Sequence, residues 1–221
     1  MTDSIAQRIA QIRADLPSTV RLIAVSKTFP ADKIRLAYDA GVRDFGESKV
    51  QEALDKQAEL ADLPDITWHL IGHLQSNKAT KAVQHFQWIH SVDSLKLAQR
   101  LDRLAEESSC SPNVCLQTKF RPDPNKYGWT VPELLNDLPQ LDQCQFLKIK
   151  GLMTILPQGL TEAESLQTFC QAHQLLSQIQ QQNWSNLEMQ ELSMGMSQDF
   201  SLAVQSGATM IRLGQTIFGK R

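Results

Sequence analysis

"VRLIAVSKTFP", Val20 to Pro30, decides how the remainder of the chain is read. Its first six residues, rich in Leu, Ile and Val, form a short apolar run closed by Ser26 and Lys27, the pattern of a buried strand. "TFP" then leads into a helical pattern, so the stretch opens a strand–helix unit. The same alternation recurs along the chain. Strand-like runs fall at 20–25, 42–46, 66–72, 87–92, 113–119, 147–153, 187–193 and 208–214. Between them, "ADKIRLAYDAG" puts Ile34, Ala37 and Tyr38 on one helical face and stops at Gly41. "SLKLAQRLDRLAEES" repeats Leu95, Ala98, Leu101, Leu104 and Ala105 at helical spacing. "EAESLQTFCQAHQLLSQIQQQ" does so with Leu166, Phe169, Cys170, Leu175, Leu176 and Ile179. Ahead of the first strand, Ile5, Ile9, Ile12 and Leu16 mark an amphipathic helix over about residues 2–16. Gly41, Gly72 and Gly207 punctuate the joins, and no linker or low-complexity tract divides the chain.

Strands alternating with helices imply a parallel sheet. An open doubly wound sheet competes, but eight strands in 221 residues favour one domain over 1–221, closed as a (β/α)8 barrel. In such barrels the active groups stand at the C-terminal ends of the strands, and the loops after the seventh and eighth commonly hold a phosphate.

Composition narrows the partners. Lys and Arg number 22 against 24 Asp and Glu, a formal charge of −2, so no basic excess exists to neutralise a nucleic acid. No segment has the apolar length of a membrane span, and the N-terminal helix lacks the continuous apolar run of a signal peptide. A cytoplasmic location is the expectation. The four cysteines, Cys110, Cys115, Cys144 and Cys170, are too sparse for a disulfide scaffold and lack a zinc spacing; they read as reduced thiols.

Placed on the barrel, Lys27 stands at the mouth. An amine among apolar walls loses its proton readily and becomes nucleophilic toward an aldehyde, although a rim lysine that snorkels to water has the same signature. The far end of the chain adds weight. In "ELSMGMSQDFSLAVQSG", Ser193, Gly195 and Ser197 precede a helix starting near Asp199, where hydroxyls and free amides make an anion site. A plainly capped helix with two core methionines reads equally well there. "MIRLGQTIFG" then ends the last strand with Arg212, and Gly214, Gln215 and Thr216 follow. Amides after Gly214 complete a phosphate cup with Ser197. An amine at the first strand and a phosphate cup at the last two describe an aldehyde-bearing phosphate ligand, and pyridoxal 5′-phosphate fits. Arg212, always charged and donor-only, suits a contact with the pyridine nitrogen that keeps it unprotonated; a rim salt bridge is the bland alternative. His69 and His73 fall across a strand end, which favours a structural or cofactor-lining role over metal binding. Glu47 and Ser48 are placed to cap the helix after strand two.

At these residues the chain resembles a known family. "AVSKTFP", "DFGESKVQEA", "WHLIGHLQSNK", "NKYGW", "KGLMTI", "LSMGMSQDF" and "IRLGQTIFG" are similar to the pyridoxal phosphate homeostasis proteins, the YggS/PROSC family, over essentially the whole chain. The resemblance implies a barrel of the alanine-racemase N-terminal-domain type, with pyridoxal 5′-phosphate bound as an internal aldimine on Lys27. It implies phosphate contacts from Ser197, Gly214, Gln215 and Thr216, with Gly195 and Met196 nearby, and Arg212 facing the ring nitrogen. Ser48 departs from the pattern, standing where the family commonly has asparagine.

Three classes of function follow. A racemase needs a second proton-transfer group opposite Lys27. Tyr38 lies on a core stripe, which leaves Tyr127 on its loop, and the chain has no room for the second racemase domain. A carrier that binds, buffers or delivers the cofactor, acting as a monomer with transient acceptor enzymes, agrees better with the resemblance. A scaffold without cofactor leaves Lys27, Arg212 and the cup unexplained.

Overall fold

The computed structural model describes residues 4–123 and 126–219. Eight apolar runs become eight parallel strands whose pairing closes on itself: β1 (Arg21–Val25), β2 (Asp44–Glu47), β3 (Thr67–Leu70), β4 (Trp88–Val92), β5 (Asn113–Lys119), β7 (Lys148–Met153), β8 (Leu187–Ser193) and β9 (Met210–Leu213). Each pairs in parallel with the next; β4 pairs with β5, and β9 returns to β1 with Ile23 opposite Arg212. The open doubly wound alternative is excluded by that last ladder. A further strand, β6 (Trp129–Thr130), hangs on the side of β5 and carries only two residues, too short for any apolar period to announce it.

Strands of a closed parallel sheet are buried on both faces, and the alternation of side chains sorts them into two cores. Ile23, Trp88, Cys115, Met153 and Met210 form one cluster inside the barrel. Phe45, Leu70, Ile89, Leu116 and their neighbours point outward, beneath a ring of helices. α1 (Ile5–Asp15) begins at Ser4, whose hydroxyl accepts the Gln7 amide while the Gln7 side chain accepts the Ser4 amide, and it buries Ile5, Ile9 and Ile12. The expected helix began near residue 2; residues 1–3 lie outside the described residues. The ring continues with α2 (Ala31–Asp39), α3 (Val50–Glu59), α4 (Ala79–His85), α5 (Leu95–Glu107), α6 (Val131–Leu141), α7 (Glu162–Gln180), α8 (Phe200–Gln205) and α9 (Gln215–Phe218).

One helical face differs from expectation. In α7 the buried stripe is Ser165, Thr168, Phe169, Ala172, Leu175, Leu176 and Ile179, while Leu166 and Cys170 are exposed. Thr168 is accommodated on the inner face because its hydroxyl is satisfied there: it donates to Glu164 O at 2.7 Å and accepts from Arg121 Nε at 2.9 Å. The cysteines are free thiols, with Cys115 and Cys144 buried. Among the described residues no helix is long and apolar enough to cross a membrane.

Gly151 shows how tightly the wall is built. A β-carbon there would stand 1.7 Å from the backbone oxygen of Glu191 on the neighbouring strand. At Gly159, by contrast, nothing lies within 4 Å and only a positive φ of 83° resists a side chain. Gly151→Ala is therefore expected to cost about 3 kcal/mol or more, and Gly159→Ala about 1 kcal/mol. Urea unfolding of both variants checks the order, and equal losses would contradict this account of the β7–β8 wall.

Candidate functional site

Lys27 leaves β1 on a turn that is gripped from beneath. Thr28, the next residue, has φ +69°, a left-handed conformation that a β-branched residue adopts only when its surroundings impose it. They do so through α3. Lys56 Nζ lies 2.7 Å from Glu47 Oε1 and 2.8 Å from Glu52 Oε1, and donates to the carbonyl of Ser26 at 2.9 Å. Ser26 Oγ donates to Glu47 Oε1 at 2.7 Å, and the Thr28 amide donates to Glu52 Oε1. The residues on either side of Lys27 are thus both fastened to one carboxylate–ammonium–carboxylate group, in which Glu47 and Lys56 are buried and Glu52 half-buried, and Lys27 is half-buried between them. Burial outweighs the bonds from Lys56 and Ser26 and raises the Glu47 carboxyl above its usual range. At Glu52 burial is overcome by the bonds from Lys56 and the Thr28 amide, and the carboxyl lies below its usual range. Glu47 Oε2 is buried without a hydrogen-bond partner. The expected capping role of Glu47 and Ser48 is not what the structure has: α3 is capped by Lys49 with no side-chain bond. Ser48 is half-buried, its carbonyl 2.3 Å from where a β-carbon on Gly72 would stand.

The last two loops converge on the same edge. Gly195 takes φ +92°, and a β-carbon on it would come within 2.6 Å of Ala203 Cβ, so the loop presses directly on α8. Asp199 caps that turn by accepting the Met196 amide at 2.6 Å. Ser197 Oγ accepts the Thr216 amide at 3.4 Å, joining the loop after β8 to the start of α9. The amides of Gly214 and Gln215, at the first turn of α9, have no acceptor within the helix. A β-carbon at Gly214 would lie 3.4 Å from Val25 O, so this loop abuts the end of β1 two residues before Lys27. Phe29 and Phe218 pack with ring centroids 5.1 Å apart and tie the lysine turn to α9. Met196 is exposed at the rim.

Arg212 is buried and points into the barrel beside Met210. Its Nη1 donates to Ser193 Oγ at 2.7 Å and its Nη2 to Thr154 O at 2.9 Å. Burial lowers its pKa to about 10, which leaves it charged at neutral pH. Among the described residues no carboxylate lies within ion-pair distance of it, so it is not a rim salt bridge. Ser193 is fully buried, its hydroxyl engaged by Arg212 and by His90 Nδ1 at 2.8 Å, rather than turned to the loop that Ser197 occupies.

The two neighbouring histidines part company. His69 is inside the barrel, whereas His73 lies at the mouth, its Nδ1 2.9 Å from Asp93 and its ring stacked on Tyr127 at 3.6 Å. No metal-ligand cluster exists among the described residues. Tyr38 is half-buried and packs against the core beneath the helices, bonded to Asp65 and lying against Arg43. The "RPDPNKYGW" loop is described except for residues 124 and 125. Sequence reasoning missed Lys56, Glu52 and His90. The alternation in "QWIHSV" already places Trp88 and His90 on one face, whereas nothing marks Lys56 as buried.

Comparison with known proteins agrees with this fold. A family model described as alanine racemase, N-terminal domain, matches residues 1–221. A pyridoxal phosphate homeostasis protein of Synechocystis sp. is 54% identical over 212 residues, 96% of each chain. One from Pseudomonas aeruginosa is 44% identical over 232 residues, covering 99% of this chain and 96% of that one. Among solved structures, PipY of Synechococcus elongatus with PLP bound superposes with a TM-score of 0.94 at 57% identity, over 98% of this chain and 100% of that chain. An alanine racemase of Clostridium difficile shares the fold at a TM-score of 0.77 and 13% identity, over 99% of this chain and 60% of that chain.

The clamp under Lys27 is open to test. Lys56→Met strands the buried Glu47 carboxylate and is expected to cost about 3–5 kcal/mol at pH 7, with Glu47→Gln in the same background recovering much of it. Without Lys56 the Glu47 carboxyl rises further above its unfolded value. Stability then returns as pH falls toward the ordinary carboxylate range and is lost as pH rises. Urea unfolding of the single and double variants at pH 5 and pH 7 reads both effects; a Lys56→Met cost that does not change with pH would refute the charge assignment.

Proposed function

The chain belongs to the alanine racemase N-terminal domain family, among its pyridoxal phosphate homeostasis proteins, and from that premise we propose that it holds pyridoxal 5′-phosphate covalently on Lys27 as a reserve, with no turnover of its own. The observation that carries the reading is the seam between β1 and β9, where the loop at Gly214 abuts the strand that delivers Lys27. On this reading the proposed amine and the proposed anion cup share one edge of the barrel mouth.

When bound, the cofactor supplies an aldehyde that condenses with an amine and a ring that withdraws electrons. The side chains divide the work of holding it. Lys27 Nζ would supply the neutral amine, whose two hydrogens leave with the aldehyde oxygen as water when the C=N bond forms. Ser197 Oγ and the amides of Gly214, Gln215 and Thr216 receive the phosphate, and the tight turn at Gly195 and Met196 shapes the rim. Arg212, held by Ser193, offers N–H donors to the ring nitrogen and keeps a proton off it, which weakens the ring as an electron sink. Ser193 supports the cofactor through Arg212. Ser48, beneath the Gly72 loop, lines the opposite wall.

The cellular role proposed is buffering or delivery of the cofactor, with consequences for amino-acid and keto-acid balance, by a cytoplasmic monomer that meets acceptor enzymes transiently. A second reading, amino-acid racemisation, rests on Tyr127, exposed at the mouth against His73.

Purified protein loaded with pyridoxal phosphate is expected to be yellow and to fix the cofactor irreversibly on borohydride reduction, and Lys27→Ala is expected to lose both properties. Ser197→Ala, which removes one hydrogen bond to a dianion, is expected to weaken retention by about tenfold in equilibrium dialysis. Unchanged retention would remove Ser197 from the cup. α-Deuterium exchange into L- or D-alanine at enzyme-like rates would transfer the reading to a racemase. Activation of an apo-transaminase by loaded protein, timed against free cofactor, separates delivery from storage.

A further inference from the structure

Inside the barrel a row of hydrogen bonds leads away from Arg212 to the opposite end. Ser193 Oγ, which Arg212 Nη1 reaches at 2.7 Å, is 2.8 Å from His90 Nδ1. His90 Nε2 is 2.9 Å from His69 Nδ1, and His69 Nε2 is 3.0 Å from Asp44 Oδ1. Five strands contribute one residue each. Ser193, His90 and His69 are fully buried, whereas the Asp44 side chain is 24% exposed at the N-terminal end of β2. Trp88 stacks on His69 with ring centroids 5.8 Å apart and lies tilted against His90 at the same separation.

Donor and acceptor chemistry assigns the protons. A guanidinium has no acceptor, so Arg212 donates to Ser193 Oγ. A carboxylate has no donor, so His69 gives its Nε2 proton to Asp44. With His69 neutral, its Nδ1 accepts, and only a proton on His90 Nε2 can fill that contact. His90 Nδ1 then accepts in turn, and the Ser193 hydroxyl proton fills it. Every link points the same way, from cation to anion. A protonated His69 would reverse the two middle links and make Ser193 accept twice. Burial opposes that form: it lowers both imidazoles, with Arg21 and Arg212 adding positive charge nearby and only Asp44 and Glu191 offsetting it. Arg21 stands 3.9 Å from Asp44 and 3.7 Å from Glu191, closing the outer end of the row.

We propose that Asp44, His69, His90 and Ser193 are positioning residues for Arg212, a one-way chain of neutral Nε2–H imidazoles that fixes the guanidinium at the cofactor end against a carboxylate at the opposite end of the barrel. The target of Arg212 rests on the cofactor reading above; the chain itself does not. Ser193 Oγ and Thr154 O hold two of the guanidinium nitrogens, which fixes the plane of the group and leaves three N–H donors for other acceptors. Polarised hydrogen bonds of this kind reinforce one another, so a change at Asp44 is felt at His90 without contact.

The experiment has two arms. In cofactor-free protein labelled with ¹⁵N-histidine, two-bond proton–nitrogen spectra between pH 6 and 8 are expected to show Nε2–H and bare Nδ1 at both His69 and His90. Asp44→Asn keeps an acceptor oxygen and removes the charge, and it is expected to move the His90 resonances. A protonated Nδ1 on either ring, or His90 signals identical in Asp44→Asn and wild type, would overturn the chain. In the second arm, Ser193→Ala is expected to shift the absorption maximum of bound pyridoxal phosphate and weaken its binding about three- to tenfold, with Ser193→Thr restoring both. Identical spectra and affinity in Ser193→Ala and wild type would overturn the positioning role. If wild-type protein takes up no pyridoxal phosphate, the cofactor reading alone fails, and the first arm still decides the chain.

Discussion

Barrel closure between the first and last strands is the constraint on which the site depends. The ladder from Arg21 opposite Met210 to Ala24 opposite Leu213 brings together segments from the two ends of the chain. Such a contact carries nearly the largest loop-closure entropy the chain can face, and burial of both strand faces offsets it. α1 reinforces the seam from outside by packing against α2 and α9. The N-terminal helix is thus part of what places Lys27 beside the loop at Gly214, although it contributes nothing to the mouth itself.

Around that seam the molecule buries two separate polar systems, and β2 feeds both. Its four residues, "DFGE", alternate across the wall. Asp44 faces inward and ends the row that leads to Arg212, while Glu47 faces outward to Lys56 and the turn carrying Lys27. Gly46 between them leaves the interior to Ile23, whose methyl lies 3.1 Å from where its β-carbon would stand. Buried charges of this kind rarely add stability over apolar packing. Their value here is directional, since one system ends on Ser26 and Thr28, on either side of Lys27, and the other on the side chain of Arg212.

Legibility in the sequence followed burial. Strand runs such as "VRLIAV" and "LKIKGLM" are apolar because both faces are covered, and all eight appear where their pattern lies. β6 escaped because two residues have no period. Lys27 and Arg212 were legible because a charged residue at the end of a buried strand has few places to go. Ser193 was read toward the anion loop because a string does not show strand parity; as the partner of inward-facing Glu191 two residues earlier it had to turn inside. Lys56 was illegible for the opposite reason. A lysine on an amphipathic helix looks like surface, and only the packing of α3 over β2 reveals the carboxylates that hold it.

These supports bear on why the proposed reading is a holder more than a catalyst. Preorganised donors lower the cost of binding because little freedom is left to lose when the ligand arrives. Here the lysine turn is held through Ser26 and Thr28, and Arg212 through Ser193 and Thr154, by contacts that the protein makes with itself. Rate enhancement in proton-transfer chemistry asks for something different, a second group positioned on the opposite face with its pKa tuned to the task. The group nearest to that description, Tyr127, is 54% exposed on a loop. Its ring stacks on His73 at 3.6 Å and stays largely open to solvent, rather than enclosed where a proton-transfer group facing a bound α-carbon would stand. Fixed supports beneath an exposed mouth suit the proposed role, in which a held cofactor stays within reach of an incoming amine.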